Sequence, residues 1–213
     1  MSAESSSATP RSDAPPGDDE LEVTIFGPML GESIVVHIGS GEWVIIDSCF
    51  ASAVDETPMA LQYLEALDVR IDRDVRLVVA THWHDDHIAG MAKIVRRCRK
   101  SKVAVSSAFT GHDFNALVEL VEPSMLRRSG VREFWEIWGY FEDARRSPTH
   151  ASAGKELYFR RTDVPARVWA LSPGDRDVWL GLRRFRNFYR KAIGALLSTF
   201  RRWIRTTLLW SCG

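Results

Sequence analysis

Three of the chain's six histidines and two carboxylates fall within six consecutive positions: His82, His84, Asp85, Asp86 and His87. Imidazole nitrogen and carboxylate oxygen together suit zinc-like divalent ions. The cluster follows the run Val75-Arg76-Leu77-Val78-Val79-Ala80, which reads as a buried β-strand. On extended backbone alternate side chains share a side, so His82 and His84 offer two imidazoles in one direction. Asp86 and His87 then turn toward a second position just beyond the strand. Surface loops seldom place three histidines and two aspartates directly after an apolar strand, and the spacing therefore predicts a metal-binding site.

The elements that must position this cluster are partly legible. Thr57 reads as a helix cap and Pro58 as a first helical residue, with Met59, Leu61, Leu64 and Leu67 on one face. Phe134, Ile137, Trp138 and Phe141 are spaced as the core stripe of a second helix. Asp47 closes an apolar strand at 43–47. It is the carboxylate best placed to hold a ligand histidine or the loop through hydrogen bonds, the alternative being a plain turn residue. Gly90 reads as a site of close packing between the following helix and the sheet. Cys49 reads as a small packed residue. Of the other histidines, His37 reads as a strand residue, and His112 and His150 as surface loop residues.

Thr81-His82-Trp83-His84-Asp85-Asp86-His87 resembles the T-H-x-H-x-D-H motif of the metallo-β-lactamase superfamily at every defined position. Upstream, 31–38 and 42–48 resemble that fold's opening hairpin, whose second strand ends in Asp. The resemblance implies an α/β fold, an αββα sandwich of two similar halves, with two divalent metal ions, zinc above all. By residue-wise carry-over, His82 and His84 hold the first metal, and Asp86 and His87 the second. Asp86 is also implied as the catalytic carboxylate, and Asp47 as a supporting residue behind the ligands. Asp85 and Trp83 occupy variable slots of the motif. The activity implied is hydrolysis of an ester, phosphodiester or amide bond by metal-activated water. The Gly31-Glu32-Ser33 start and Val168-Trp169-Ala170-Leu171-Ser172-Pro173 are most similar to the branch containing the hydrolase domain of DNA-uptake channel proteins.

The likeness is lost after Asp175: no Asp follows Asp177 and no His follows His150. The expected architecture is thus a sandwich truncated in its second half, a tail at 1–20 too poor in apolar residues to fold, a superfamily-like part at 21–178, and an atypical stretch at 179–213. That stretch carries eight basic and no acidic residues. The whole chain holds 28 of each sign, which leaves 20 basic and 28 acidic in 1–178. Two readings stand for 179–213. Its possible codons, read one base earlier from Arg202, permit Val-Asp-Pro-Asn-His-Ala-Ser-Val-Val-Leu-Trp, and Asn-His-x-Ser-Val-Val-Leu resembles the family's second-half ligand segment. That makes the stretch an out-of-frame translation beginning near Val178. Alternatively it is a genuine basic amphipathic tail, which would bind nucleic acid or an anionic membrane surface in a non-catalytic chain.

With only two protein ligands per metal, the expected outcome is a poor or inactive hydrolase. The three cysteines, Cys49, Cys98 and Cys212, are widely spaced and odd in number, which excludes a disulfide framework and makes a reducing cytoplasm the default. No apolar run is long enough to span a membrane, and no secretory signal is legible at the start. The substrate is left open between a small molecule and a nucleic-acid-like one.

Overall fold

A computed structural model describes residues 14–27, 31–52, 54–82, 84–107, 130–174, 176 and 180. Strands β1 (Leu21–Phe26), β2 (Ser33–Ile38) and β3 (Trp43–Ile46) form an antiparallel meander. In β2, buried Ser33, Val35 and His37 alternate with half-buried Ile34, Val36 and Ile38, the period-two pattern of a strand with two differently covered faces. From β3 onward the pairing is parallel, through β4 (Val75–Ala80), β5 (Lys102–Ser106) and β6 (Thr149–Ala151). The strands lie in the order of the chain, β1 to β6. Near-continuous burial along β3 and β4 is what parallel strands covered on both faces require.

The crossovers carry the helices. Between β3 and β4 run α1 (Met59–Ala66) and α2 (Ile71–Asp74). Between β4 and β5 run α3 (Asp85–Ile88) and α4 (Met91–Arg97), and α5 (Gly130–Asp143) precedes β6. Helical residues Leu61, Leu64, Ile94, Phe134 and Ile137 bury one face of the sheet with Val35, Trp43, Ile45 and Val78. The opposite face, with Val44, Leu77 and Val79, is packed by an antiparallel pair, β7 (Lys155–Arg160) and β8 (Ala166–Ala170). Buried Arg160 ties that pair to the sheet by donating to the carbonyls of Ile38 and Gly39 and to the Glu42 carboxylate, at 2.7, 2.8 and 2.7 Å. Among the described residues the layers are therefore helix, six-stranded sheet, two-stranded sheet.

Parallel strands point their carboxyl ends the same way, and ligands of such sheets gather outside those ends. Asp47 immediately follows β3, and the histidine cluster immediately follows β4.

The strand expected at 75–80 is β4, and the hairpin is β2 and β3; the edge strand β1 was not legible beforehand. The stripe Phe134, Ile137 and Phe141 is buried on α5, with Trp138 packed beside it. Three expectations need correction. The first helix begins at Met59, not Pro58, and Thr57 does not cap it. Pro58 has extended ψ of 132°, and Thr57 N–H instead donates to Asp55 Oδ1 at 2.8 Å. His150 lies in strand β6, paired with Val105, because it continues the parallel ladder. Gly90 does not bring helix to sheet: its φ of 80° is left-handed, and an added Cβ would lie 2.5 Å from the Phe50 ring and 2.9 Å from Pro58.

His37 is a buried strand residue whose Nδ1 lies 2.9 Å from the Glu20 carbonyl and whose ring lies 4.8 Å from that of Trp43. Residues 14–20, within the stretch expected to be unfolded, include a turn closed by Glu20 N–H on the Gly17 carbonyl. Residues 1–13, His112, Trp83, Asp175 and nearly all of 179–213 lie outside the described residues. No helix among the described residues is long and apolar enough to cross a membrane.

Cys49 and Cys98 are both buried and free. Burial pushes the Cys98 thiol up to about 12 and raises that of Cys49 as well. Because the thiolate is the reactive form, neither should be alkylated by iodoacetamide at pH 8 in the native protein, and both should react in denaturant. Peptide mass mapping distinguishes them from Cys212. The native state holds the Cys98 proton more tightly than the unfolded chain, whose thiols ionise near 9. Stability from this group is therefore complete below pH 9 and is lost as pH rises toward 12.

Candidate metal centre

The end of β4 is fixed before any histidine is placed. Thr81 N–H donates to Asp47 Oδ1 at 2.8 Å, and the Thr81 hydroxyl donates to Asp47 Oδ2 at 2.5 Å. Asp47 itself has φ of 57°, a left-handed turn at the end of β3 that points its carboxylate across to the neighbouring strand end. Its side chain is 6% exposed. Burial raises its pKa, opposed by the hydrogen bonds from Thr81 and His87.

These bonds set the imidazole tautomers. His87 Nδ1 lies 3.1 Å from Asp47 Oδ2, and an ionised carboxylate only accepts, so Nδ1 carries the hydrogen. The one proton of the Thr81 hydroxyl is committed to Asp47. The hydroxyl oxygen therefore accepts from His82 Nδ1, 2.8 Å away. Both Nε2 atoms are thus left without hydrogen, the tautomer that ligates a metal through Nε2. The His82 pKa is lowered, by burial first and then by the charge of His87, which favours the neutral, ligating ring.

The rings gather around His82. Its centroid lies 3.9 Å from that of His87 and 5.1 Å from that of His84. One ligand atom each from His82, His84 and Asp86 lie within 4.8 Å of one another, as do one each from Asp47, His82 and His87. His87 Nε2 is also 3.7 Å from Asp86 Oδ2. The structure thus brings together His82, His84, Asp86, His87 and Asp47. Asp86 sits with His82 and His84 and also beside His87, and Asp47 lies on the Nδ1 side of the His87 ring. His37 and His150 do not join either group.

The loop's backbone is held on one side by the strand ends. Glu32 N–H donates to the Asp86 carbonyl and Ser48 N–H to that of His87, both at 2.8 Å, while Ser48 Oγ donates to the Ala89 carbonyl at 2.6 Å. Gly31 passes so near that a Cβ would lie 2.6 Å from the Asp86 oxygen. On the other side, Glu133 of α5 accepts from Gly90 and Ala92 N–H, each at 3.0 Å. Nothing in the sequence near 133 pointed to this: its partners are backbone amides more than forty residues away.

A family model, that of the metallo-β-lactamase superfamily, matches residues 27–169, more than half of the chain. The chain belongs to the metallo-β-lactamase superfamily. Its mixed α/β layers are part of that superfamily's hydrolase fold, and the histidine and aspartate groups after β3 and β4 could hold a metal there. Solved structures similar to it include the Rm3 metallo-β-lactamase, at 21% identity and a TM-score of 0.38, over 68% of this chain and 49% of that one. A hydrolase of the β-lactamase superfamily, AbOPH, is similar at 19% identity and a TM-score of 0.38, over 61% and 45%. A B3 metallo-β-lactamase with an active-site glutamic acid matches at 21% identity and a TM-score of 0.33, over 48% and 41%. The chain thus spans about half the length of these superfamily structures. No curated protein is significantly similar to it.

Proposed function

We propose that this chain carries a divalent-metal hydrolase site, with zinc the preferred ion and room for two. The observation that carries the reading is the convergence of His82, His84, Asp86 and His87 beside Asp47 at the carboxyl ends of two adjacent parallel strands, with His82 and His87 held in the tautomer that ligates through Nε2. His82, His84 and Asp86 would hold one ion, and His87 with Asp86 a second. A bound ion of this kind supplies Lewis acidity and a water whose pKa falls toward neutrality.

The chain's own residues do the rest. Asp86, with a half-exposed side chain, presents the carboxylate that orients the attacking water and takes up its proton. Asp47, buried behind the rings, holds His87 and the Thr81–His82 pair in the ligating tautomer and orientation. The substrate is an ester, phosphodiester or amide. The resemblance of 31–33 and 168–173 to the DNA-uptake channel branch makes a phosphodiester the first to test.

Among the described residues His82, His84, Asp86 and His87 must serve two ions, short of three ligands for each, so turnover should be slow. The test is purified protein with zinc or manganese against phosphodiester, ester and β-lactam substrates. Slow metal-dependent hydrolysis, lost in His84→Ala, is expected. Hydrolysis that survives in His84→Ala, or in chelator, would defeat the reading.

Asp47→Ala leaves Thr81 N–H, the Thr81 hydroxyl and His87 Nδ1 without their acceptor. Zinc affinity, titrated against a chromophoric chelator, should fall roughly 10- to 100-fold, the usual cost of losing an outer partner of a ligand. An unchanged affinity would remove Asp47 from the site.

A further inference from the structure

We propose that Glu133 is the positioning residue that sets where His87 and Asp86 stand, acting through the backbone at Gly90 and Ala92. The inference rests on the metal-centre reading above.

Helix α4 begins at Met91, directly behind the metal loop, and the first amides of a helix have no partner inside it. A side chain at the preceding position usually accepts one of them. Here that position is Gly90, which has no side chain and cannot gain one, because Phe50 and Pro58 occupy the space. The acceptor is imported instead. Both oxygens of Glu133 are used, Oε1 on Gly90 N–H and Oε2 on Ala92 N–H. A carboxylate at a helix start is also favoured by the helix dipole.

Glu133 is held firmly enough to act as an anchor. Its neighbours Phe134 and Ile137 on α5 are in the core, at 0% and 1% exposure. One turn on, Glu136 accepts from Arg96 of α4 and from Arg132, both at 3.1 Å, an exposed contact that adds little to this anchor. Burial raises the Glu133 pKa, and the two backbone hydrogen bonds oppose that shift.

The geometric consequence follows from chain length. Only Ile88 and Ala89 separate His87 from Gly90. Ile88 is buried and the Ala89 carbonyl is bonded to Ser48, so the segment has no slack. The strand ends hold the carbonyls of 86, 87 and 89, and Glu133 holds the amides of 90 and 92. Releasing the second grip frees the loop to rotate about the first.

The test compares wild type, Glu133→Gln and Glu136→Gln. In Glu133→Gln the shape is kept, but an amide NH2 faces one of the two backbone N–H groups. Glu136→Gln weakens the α4–α5 ion pair without touching the loop. Two quantities are read: hydrogen exchange of peptides covering 81–92 in metal-free protein, and zinc affinity by chelator competition. Glu133→Gln should exchange faster at 81–92, with β5 unchanged, and bind zinc about tenfold more weakly. Glu136→Gln should match wild type in both.

Exchange at 81–92 equal to wild type overturns the proposal, and so does unchanged zinc affinity in a wild-type background that binds zinc. If wild type itself binds no zinc, the metal reading fails and the exchange result alone judges the grip. Should Glu133→Gln not fold, Glu133→Asp replaces it. Its shorter carboxylate cannot span both amides, and the same two outcomes apply.

Discussion

The His82→Ala protein is expected to lose divalent-metal binding outright at micromolar zinc. His82 belongs to both donor groups, so its removal leaves each with two donors. A four-ligand zinc site is worth roughly 10–16 kcal/mol, so one donor accounts for about 3 kcal/mol, or about a hundredfold in affinity. Losing a donor shared by two ions should exceed that. His84→Ala strips only one group and should leave residual binding at His82, Asp86 and His87. Equal losses in the two variants, measured by zinc titration, would mean that His82 is not shared. The fold should be unaffected, because His82 lies after β4 and contributes nothing to the core.

Trp43→Ala should have the largest effect on stability. Trp43 is 1% exposed at the start of β3, packed beside His37 and edge-on to Tyr63 at 6.3 Å. Truncating a buried tryptophan costs about 3–5 kcal/mol. In a chain of this size that lowers Tm by roughly 6–20 °C. Because Trp43 opens the strand that ends beside Asp47, the variant should also bind zinc more weakly near its lowered Tm and normally well below it. Thermal melts followed by circular dichroism, with and without zinc, check both statements.

How far the sequence could be read depended on whether a feature was local. Strand β4 announced itself as an apolar run, and the α5 stripe announced itself by helical spacing, because burial on one face leaves a periodic trace. The histidine cluster was legible because its ligands are nearly contiguous. Asp47 was legible as a strand-end carboxylate, but its distance from His82 was not. That distance depends on the parallel pairing of Ile46 with Val79, a contact thirty-odd residues apart in the chain. Strand β1 was missed because its alternation of Leu21, Val23 and Ile25 is short and follows a polar stretch. The Thr57 cap failed because Pro58 stays extended, so the helix starts one residue later, and the Cys49 carbonyl takes the Met59 N–H. Glu133 left no local trace at all: a surface glutamate and a half-buried capping glutamate look alike in a helix. Gly90 reads as a helix–sheet contact, whereas its close approach is to Phe50, in a loop that no periodicity marks.

The central claim, that the residues beyond β4 hold a divalent metal, is tested most directly by anomalous diffraction at the zinc edge from crystals grown with zinc. An anomalous peak is expected within about 2.0–2.1 Å of His82 Nε2, with His84, Asp86 or His87 among the other ligands. A map with no peak between these side chains at saturating zinc, or with its strongest peak elsewhere on the protein, would contradict it.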